Sequence, residues 1–244
     1  MSKKPFDTRP FHLKPFSLYH HRSTMKVGTD AMLLGTWANV ENVRSILDIG
    51  TGCGIVSLLL AARSMAEITA IDIDKDSIEE ASENFMQSPF KERMHTLQID
   101  LIDFSNDTSQ QFDLIVSNPP FFVNNLKPDD EKRTKARHAE TLTYQQLCIG
   151  TNKLIKPLGK LCVVLPYDES RMFLKIARKN GLFPKKQLII FPREGMLPNR
   201  AIIEFSKINV GEILSEKFTI RNSEDKFTQQ YIDMLKDFYL NLDE

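Results

Sequence analysis

The chain reads as an α/β protein, a doubly wound, mostly parallel sheet with helices on both faces. Two observations predict it. Short apolar runs alternate with stretches of helical periodicity, the pattern of right-handed βαβ crossovers. Three glycines, Gly50, Gly52 and Gly54, follow the first apolar run, Ser45–Ile49, and open an apolar helical stretch. Glycines there let the backbone turn tightly and let a ligand approach it closely.

The elements follow in order. Residues 1–30 form an irregular leader in which Phe6, Phe11, Phe16 and Tyr19 interleave with Pro5, Pro10 and Pro15. Prolines so spaced exclude a long helix, although 11–16 can hold a short strand. Basic and aromatic side chains so mixed can hold RNA, but more often such aromatics seal a domain edge. Thr29 or Asp30 can cap a helix over the next apolar positions. From Arg44 the spacing predicts strand 44–49, helix 53–65, strand 67–73, helix 75–88, strand 94–99 and strand 111–117. Beyond residue 142 it predicts helix 143–156, ended by Pro157-Leu158-Gly159, strand 160–165 and helix 168–180. Strands 185–192 and 200–208 should pair antiparallel, and Phe218–Arg221 then Tyr231–Tyr239 read as a strand and a closing helix. Ligands of such sheets bind at the carboxyl ends of the strands. The Gly50–Gly54 loop, Asp72, Asp100 and Asn118 all fall on that edge.

Composition bounds the function. The chain has 244 residues, is 41% apolar and 26% charged, and its 32 Lys and Arg balance its 32 Asp and Glu. Zero net charge argues against an indiscriminate polyanion binder, but the distribution is uneven. Residues 1–26 carry six basic residues against Asp7, whereas residues 204–244 carry five against nine acids. A basic leader is compatible with a local nucleic-acid footprint, or with a solvated charged face. The longest apolar run is too short to span a bilayer, and no apolar core of a signal peptide is visible. Cys53, Cys148 and Cys162 stand far apart, without disulfide or zinc spacing. A cytoplasmic protein with no metal, no membrane contact and no protein partner is the expectation.

The second informative stretch is Asp113-Leu114-Ile115-Val116-Ser117-Asn118-Pro119-Pro120-Phe121. Proline holds Asn118 extended, and two prolines in succession stiffen the loop after it. The carboxamide oxygen of Asn118 and the carbonyl of Pro119 can accept from the two N–H bonds of a planar amine while Phe121 stacks on its ring. Asn118, Pro119, Pro120 and Phe121 are therefore the candidate catalytic residues. The segment 123–142 is long for a connection inside a compact domain and rich in charge, which suits a binding loop or a solvated one.

Spaced as G-x-G-x-G and preceded by Asp48, the glycine loop resembles the first motif of the S-adenosylmethionine-dependent methyltransferases. Asp72 lies twenty-four residues beyond Asp48, where it can accept from a ribose diol. The resemblance implies the Rossmann-like class I fold, with a seven-stranded sheet ending in an antiparallel C-terminal hairpin. It also implies S-adenosyl-L-methionine as cofactor. The expected cofactor contacts are Lys26, Thr29, Asp30, Asp48, Gly50, Thr51, Gly52, Gly54, Asp72, Ile73, Asp100, Leu101 and Asn118, with Asp100 accepting from the adenine amine.

A narrower resemblance comes from the leader and the loop. Phe11-x-Leu13-Lys14-x-Phe16, Met25–Asp30, Leu33-Leu34-Gly35-x-Trp37 and Arg133-Thr134-x-Ala136-Arg137-His138 are similar to the tRNA1(Val) adenine-37 N6-methyltransferase family. So are Ile220-Arg221 and Phe238-Tyr239-Leu240, so the resemblance spans nearly the whole chain as one domain, 1–244, whose leader 1–30 closes over the cofactor. It implies a tRNA substrate methylated at N6 of adenosine, with Lys14, Arg22, Arg133, Arg137 and His138 as RNA contacts. A protein glutamine N5-methyltransferase, which also resembles the Asn-Pro-Pro pattern, and a non-catalytic RNA-binding module are the alternatives. A nicotinamide dehydrogenase is disfavoured by the glycine spacing.

Overall fold

Side-chain alternation along the central strands decides the layers. In a strand successive side chains point to opposite faces. Ile46, Leu114, Val116, Cys162 and Val164 enter one buried cluster, while Leu47, Ile115, Leu161, Val163 and Leu165 enter another. The computed structural model describes residues 8–119 and 142–242. Its first half runs through β1 (Phe11–His12), β2 (Ser17–Leu18), α1 (Thr29–Trp37), β3 (Ser45–Ile49), α2 (Ile55–Arg63), β4 (Glu67–Asp72), α3 (Lys75–Gln87), β5 (Met94–Gln98), α4 (Leu101–Asp107) and β6 (Phe112–Ser117). Then come α5 (Tyr144–Leu154), β7 (Ile155–Pro166), α6 (Tyr167–Lys179), β8 (Phe183–Arg193), β9 (Arg200–Ser206), β10 (Leu214–Arg221) and α7 (Gln229–Leu235).

The main sheet has the order β10-β8-β9-β7-β6-β3-β4-β5. Strands β3 to β7 are parallel neighbours, and β9 runs antiparallel to both β7 and β8. One cluster packs α1, α2, α3 and α7 on its face, and the other packs α4, α5 and α6. The sheet therefore has eight strands, not the expected seven. The extra one is β10, which pairs in parallel with β8 and forms the edge. A small antiparallel β1–β2 hairpin stands apart from it.

Two other expectations shift for local reasons. Pro157-Leu158-Gly159 does not separate α5 from a later strand: β7 begins at Ile155 and absorbs it in an irregularity, pairing Phe112 with Ile155 and then Leu114 with Lys160. Gly159 fits there because a β-carbon would lie 2.8 Å from the Phe112 carbonyl. Helix α4 is additional to the expected elements; its sequence is short and polar, and it starts on a side-chain cap from Asp100.

Strand order reverses at β3, with β4 and β5 on one side and β6 and β7 on the other. A crevice opens at such a switch point, outside the carboxyl ends of the strands. The Gly loop after β3 and Asn118 after β6 meet there. Among the described residues no helix is long and apolar enough to cross a membrane.

Candidate active site

The three loop glycines all have positive φ, 71° at Gly50, 55° at Gly52 and 84° at Gly54, a region that strains other residues. Their surroundings separate them. Chain neighbours aside, no described residue comes within 4 Å of a β-carbon built on Gly50 or Gly52, whereas one on Gly54 would fall 2.4 Å from the Phe85 ring. Gly50 and Gly52 open onto free space. Gly54, expected among the cofactor contacts, instead lets the start of α2 pack on α3.

Three carboxylates shape the loop. Asp48 is buried on the same face as Ile46, and its Oδ2 accepts from the hydroxyls of Thr51 (2.8 Å) and Ser57 (2.7 Å). Burial pushes its pKa up to about 6, and the two hydroxyl bonds oppose that rise. Asp72 accepts from the Gly52 amide at Oδ2 (2.9 Å) and from the Asp74 amide at Oδ1 (3.0 Å), and burial raises its pKa as well. Asp100 caps α4 through Oδ1, accepting from the amides of Ile102 (2.7 Å) and Asp103 (3.4 Å). A carboxylate has about four acceptor positions, so each retains capacity for a ligand.

These groups line a cavity of about 610 Å³, within the usual range for a small-molecule site. Lys26, Thr51, Ile73, Leu101, Asn118 and Pro119 line it too, with Ile49, Ile71 and Ile99 among its apolar walls. Among the described residues, Asp48, Asp72, Asp74 and Asp100 face a single cation there, Lys26. An excess of carboxylates suits a cationic ligand that also carries hydroxyl and amine donors. Asn118 Oδ1 is buried with no hydrogen-bond partner among the described residues, an arrangement that costs about 1–3 kcal/mol unless a donor satisfies it. Just before it, the Ser117 hydroxyl donates to the Ile49 carbonyl (2.9 Å) and pins β6 to β3.

The leader reaches this cavity because α3 holds it. Buried Glu80 accepts from the backbone amides of His21 (2.8 Å), Arg22 (2.9 Å) and Ser23 (2.9 Å). Burial would raise the Glu80 pKa, but these amides outweigh it and the net shift is downward. One turn on, Asn84 exchanges hydrogen bonds with the backbone of Tyr19 and donates to the Cys53 carbonyl (2.8 Å), joining leader, helix and Gly loop. Thr24, Met25 and Lys26 thereby form part of the cavity wall.

Thr29 and Asp30, expected beside the cofactor, line a neighbouring cavity of about 700 Å³ that shares Met25, Lys26, Ala31 and Asn118 with the first. The Asp30 carboxylate is drawn there by Arg200, whose Nε donates to its Oδ2 (2.7 Å). Of the expected RNA contacts, Lys14 donates to the Lys236 carbonyl (2.6 Å) and Arg22 pairs with Glu83; neither lines these cavities. Pro120, Phe121, Arg133, Arg137 and His138 lie outside the described residues. Sequence reasoning does not single out Ser57, Glu80, Asn84, Arg193 or Arg200, and it names Arg221 only within the Ile220-Arg221 resemblance. Only the Pro192–Arg200 turn, rich in proline and arginine, carries a signal.

A mostly parallel sheet with an acidic, glycine-bordered cavity at its switch point fits the class I S-adenosylmethionine-dependent methyltransferases. The family model described as methyltransferase small domain matches residues 22–166. A tRNA1(Val) (adenine(37)-N6)-methyltransferase from Parabacteroides distasonis is 39% identical, covering 95% of this chain and 98% of its own length. Its namesake from Flavobacterium johnsoniae is 38% identical over 95% and 100%. The chain belongs to the tRNA1(Val) (adenine(37)-N6)-methyltransferase family. Solved structures share the fold at low identity. A predicted O-methyltransferase from Agrobacterium tumefaciens has TM-score 0.65 and 18% identity, covering 86% of this chain and 96% of that one. The T. thermophilus 16S rRNA N2 G1207 methyltransferase in complex with AdoMet and guanosine has TM-score 0.59 and 19% identity, covering 82% and 50%.

Proposed function

We propose that this enzyme methylates N6 of an adenosine in tRNA, adenine 37 of a valine tRNA as its relatives are named. Unpartnered Asn118 Oδ1 carries the reading: it is a buried acceptor at the point where the two cavities meet. An exocyclic amine presented there supplies the donor that the oxygen lacks.

S-adenosyl-L-methionine supplies a methyl group on a positively charged sulfur. Gly50 and Gly52 would leave room for it beside the loop, Asp72 would accept from its ribose hydroxyls, and Asp100 would accept from its adenine amine. Lys26, Thr51, Ile73 and Leu101 complete the wall, and Asp48 acts from behind by holding the loop. Asn118 and the Pro119 carbonyl accept from the target amine and draw its lone pair out of conjugation with the ring. Nitrogen gains positive charge as it is alkylated and then sheds a proton; two fixed acceptors stabilise that charge without reorganising. Phe121, expected from the sequence to stack on the base, and Pro120 lie outside the described residues. The target must be splayed from its neighbours, which is cheaper in an anticodon loop than in a helix. Residues 1–244 act as one unit closed by the leader, with the cytoplasm as its compartment.

Incubation with labelled S-adenosylmethionine and unmodified bulk tRNA, followed by nucleoside mass spectrometry, tests this. N6-methyladenosine is expected. Asn118→Ala should lower kcat by about 100-fold or more while leaving cofactor affinity within twofold. Label appearing in a glutamine-bearing protein fraction instead of tRNA would transfer the function to glutamine N5-methylation.

A further inference from the structure

The second cavity differs in kind from the first. Among the described residues, Lys26, Arg193, Arg200 and Arg221 line it against Asp30 and Asp225, so cations outnumber carboxylates. The cofactor cavity has the opposite balance, and Asn118 borders both.

Two of these arginines are held at one place on the wall. Arg193 Nη2 lies 2.5 Å from Asp225 Oδ1, and Arg221 Nε lies 3.9 Å from the same oxygen. Arg221 also donates to the Asp225 carbonyl and lies over the Phe227 ring, 4.2 Å from its centroid. Asp225 itself has φ 65°, in a turn where Asn222 Oδ1 accepts from the amides of Glu224 and Lys226 (3.0 Å each). One carboxylate cannot satisfy two guanidiniums, each with five N–H donors, and both side chains remain about two-fifths exposed. The pair is pre-positioned and has donors to spare. Planar guanidiniums with free donors match phosphate oxygens. Met196, 55% exposed, lines the same cavity and gives it an apolar edge beside the cationic wall.

We propose that Arg193 and Arg221 bind the phosphodiester backbone of the RNA strand next to the target base. The second cavity is then the strand's track, from which the base passes to Asn118. This rests on the tRNA reading above and deepens it.

The test uses the full chain with unmodified tRNA, and the variants Arg193→Gln, Arg221→Gln and Arg221→Lys. Each Gln variant should raise the KM for tRNA at least fivefold, with kcat at saturating tRNA and cofactor affinity within twofold of the parent. The slope of log Kd for tRNA against log salt should flatten by roughly 0.7 for each single-strand phosphate that is no longer neutralised. Arg221→Lys should recover most of the KM, because it keeps the charge. Arg193 does not support the Phe227 stack, so its variant reads the proposal even if Arg221→Gln weakens the fold. Parental KM and salt slope in Arg193→Gln, with tRNA still methylated, would overturn this inference alone. No methylation of tRNA by the parent protein would overturn the functional reading and this inference with it.

Discussion

Asp48 shows how a residue can matter to a site without being built to touch the reacting atoms. Its carboxylate is buried, accepts from the Thr51 and Ser57 hydroxyls and from the Ser57 backbone, and its pKa is raised from 3.8 to about 6. A raised carboxyl pKa means that the native state holds the proton more tightly than the unfolded chain. Its contribution to stability is therefore complete below about pH 4 and lost as pH rises through about 6. A shift of this size corresponds to about 3 kcal/mol. Urea unfolding of the parent and of Asp48→Asn from pH 4 to pH 8 should show the difference moving in favour of Asn by up to about that amount. An unchanged difference across the range would mean that Asp48 does not titrate there. The Asp48 position and its neighbouring glycines are legible in the sequence because backbone conformation demands particular residue types. Ser57 is not, since a serine inside an apolar helix has no pattern to mark it.

Among the elements, α3 carries more than its amphipathic face. Glu80 and Asn84 share one side of the helix at i, i+4 spacing and both turn inward, toward the leader. Glu80→Gln should cost about 1–3 kcal/mol by removing charge from a three-amide acceptor. It should also speed hydrogen exchange at His21, Arg22 and Ser23, and weaken cofactor binding through the Thr24–Lys26 wall. Unchanged protection of those three amides would show that the leader is held by its aromatic packing instead. The elements themselves are readable from periodicity to within a few residues. Helix α4 escapes such a reading because its one start signal, Asp100, also fits a ligand role. The structure gives Asp100 the capping role without removing its place in the cavity wall. Gly54→Ala tests the loop from the packing side: its β-carbon would meet Phe85, so stability should fall by about 1–3 kcal/mol in thermal unfolding without ligand.

Across the described residues, two cavities with opposite charge balance adjoin along Met25, Lys26, Ala31 and Asn118. Zero net charge conceals that arrangement. Ligand linkage gives a direct measure of the acidic one: at 100 times Kd a ligand stabilises by about 2.7 kcal/mol, which for a chain of this length raises Tm by roughly 5–10 °C. S-adenosylmethionine should produce such a shift in the parent and in Arg193→Gln, whereas Asp72→Ala should lose most of it. Equal shifts in all three would remove Asp72 from the cofactor site.

The sequence alone determined the α/β class, the order of nearly all elements, the Gly loop and the Asn-Pro-Pro-Phe stretch, because each depends on local backbone geometry or a short periodicity. Tertiary structure decided the rest. It placed Thr29 and Asp30 in the basic cavity through Arg200, added β10 to make eight strands, turned Gly54 toward Phe85, and set Arg193 beside Arg221 on one carboxylate. These outcomes join residues far apart in the chain, and only packing of the folded sheet determines which of them become neighbours.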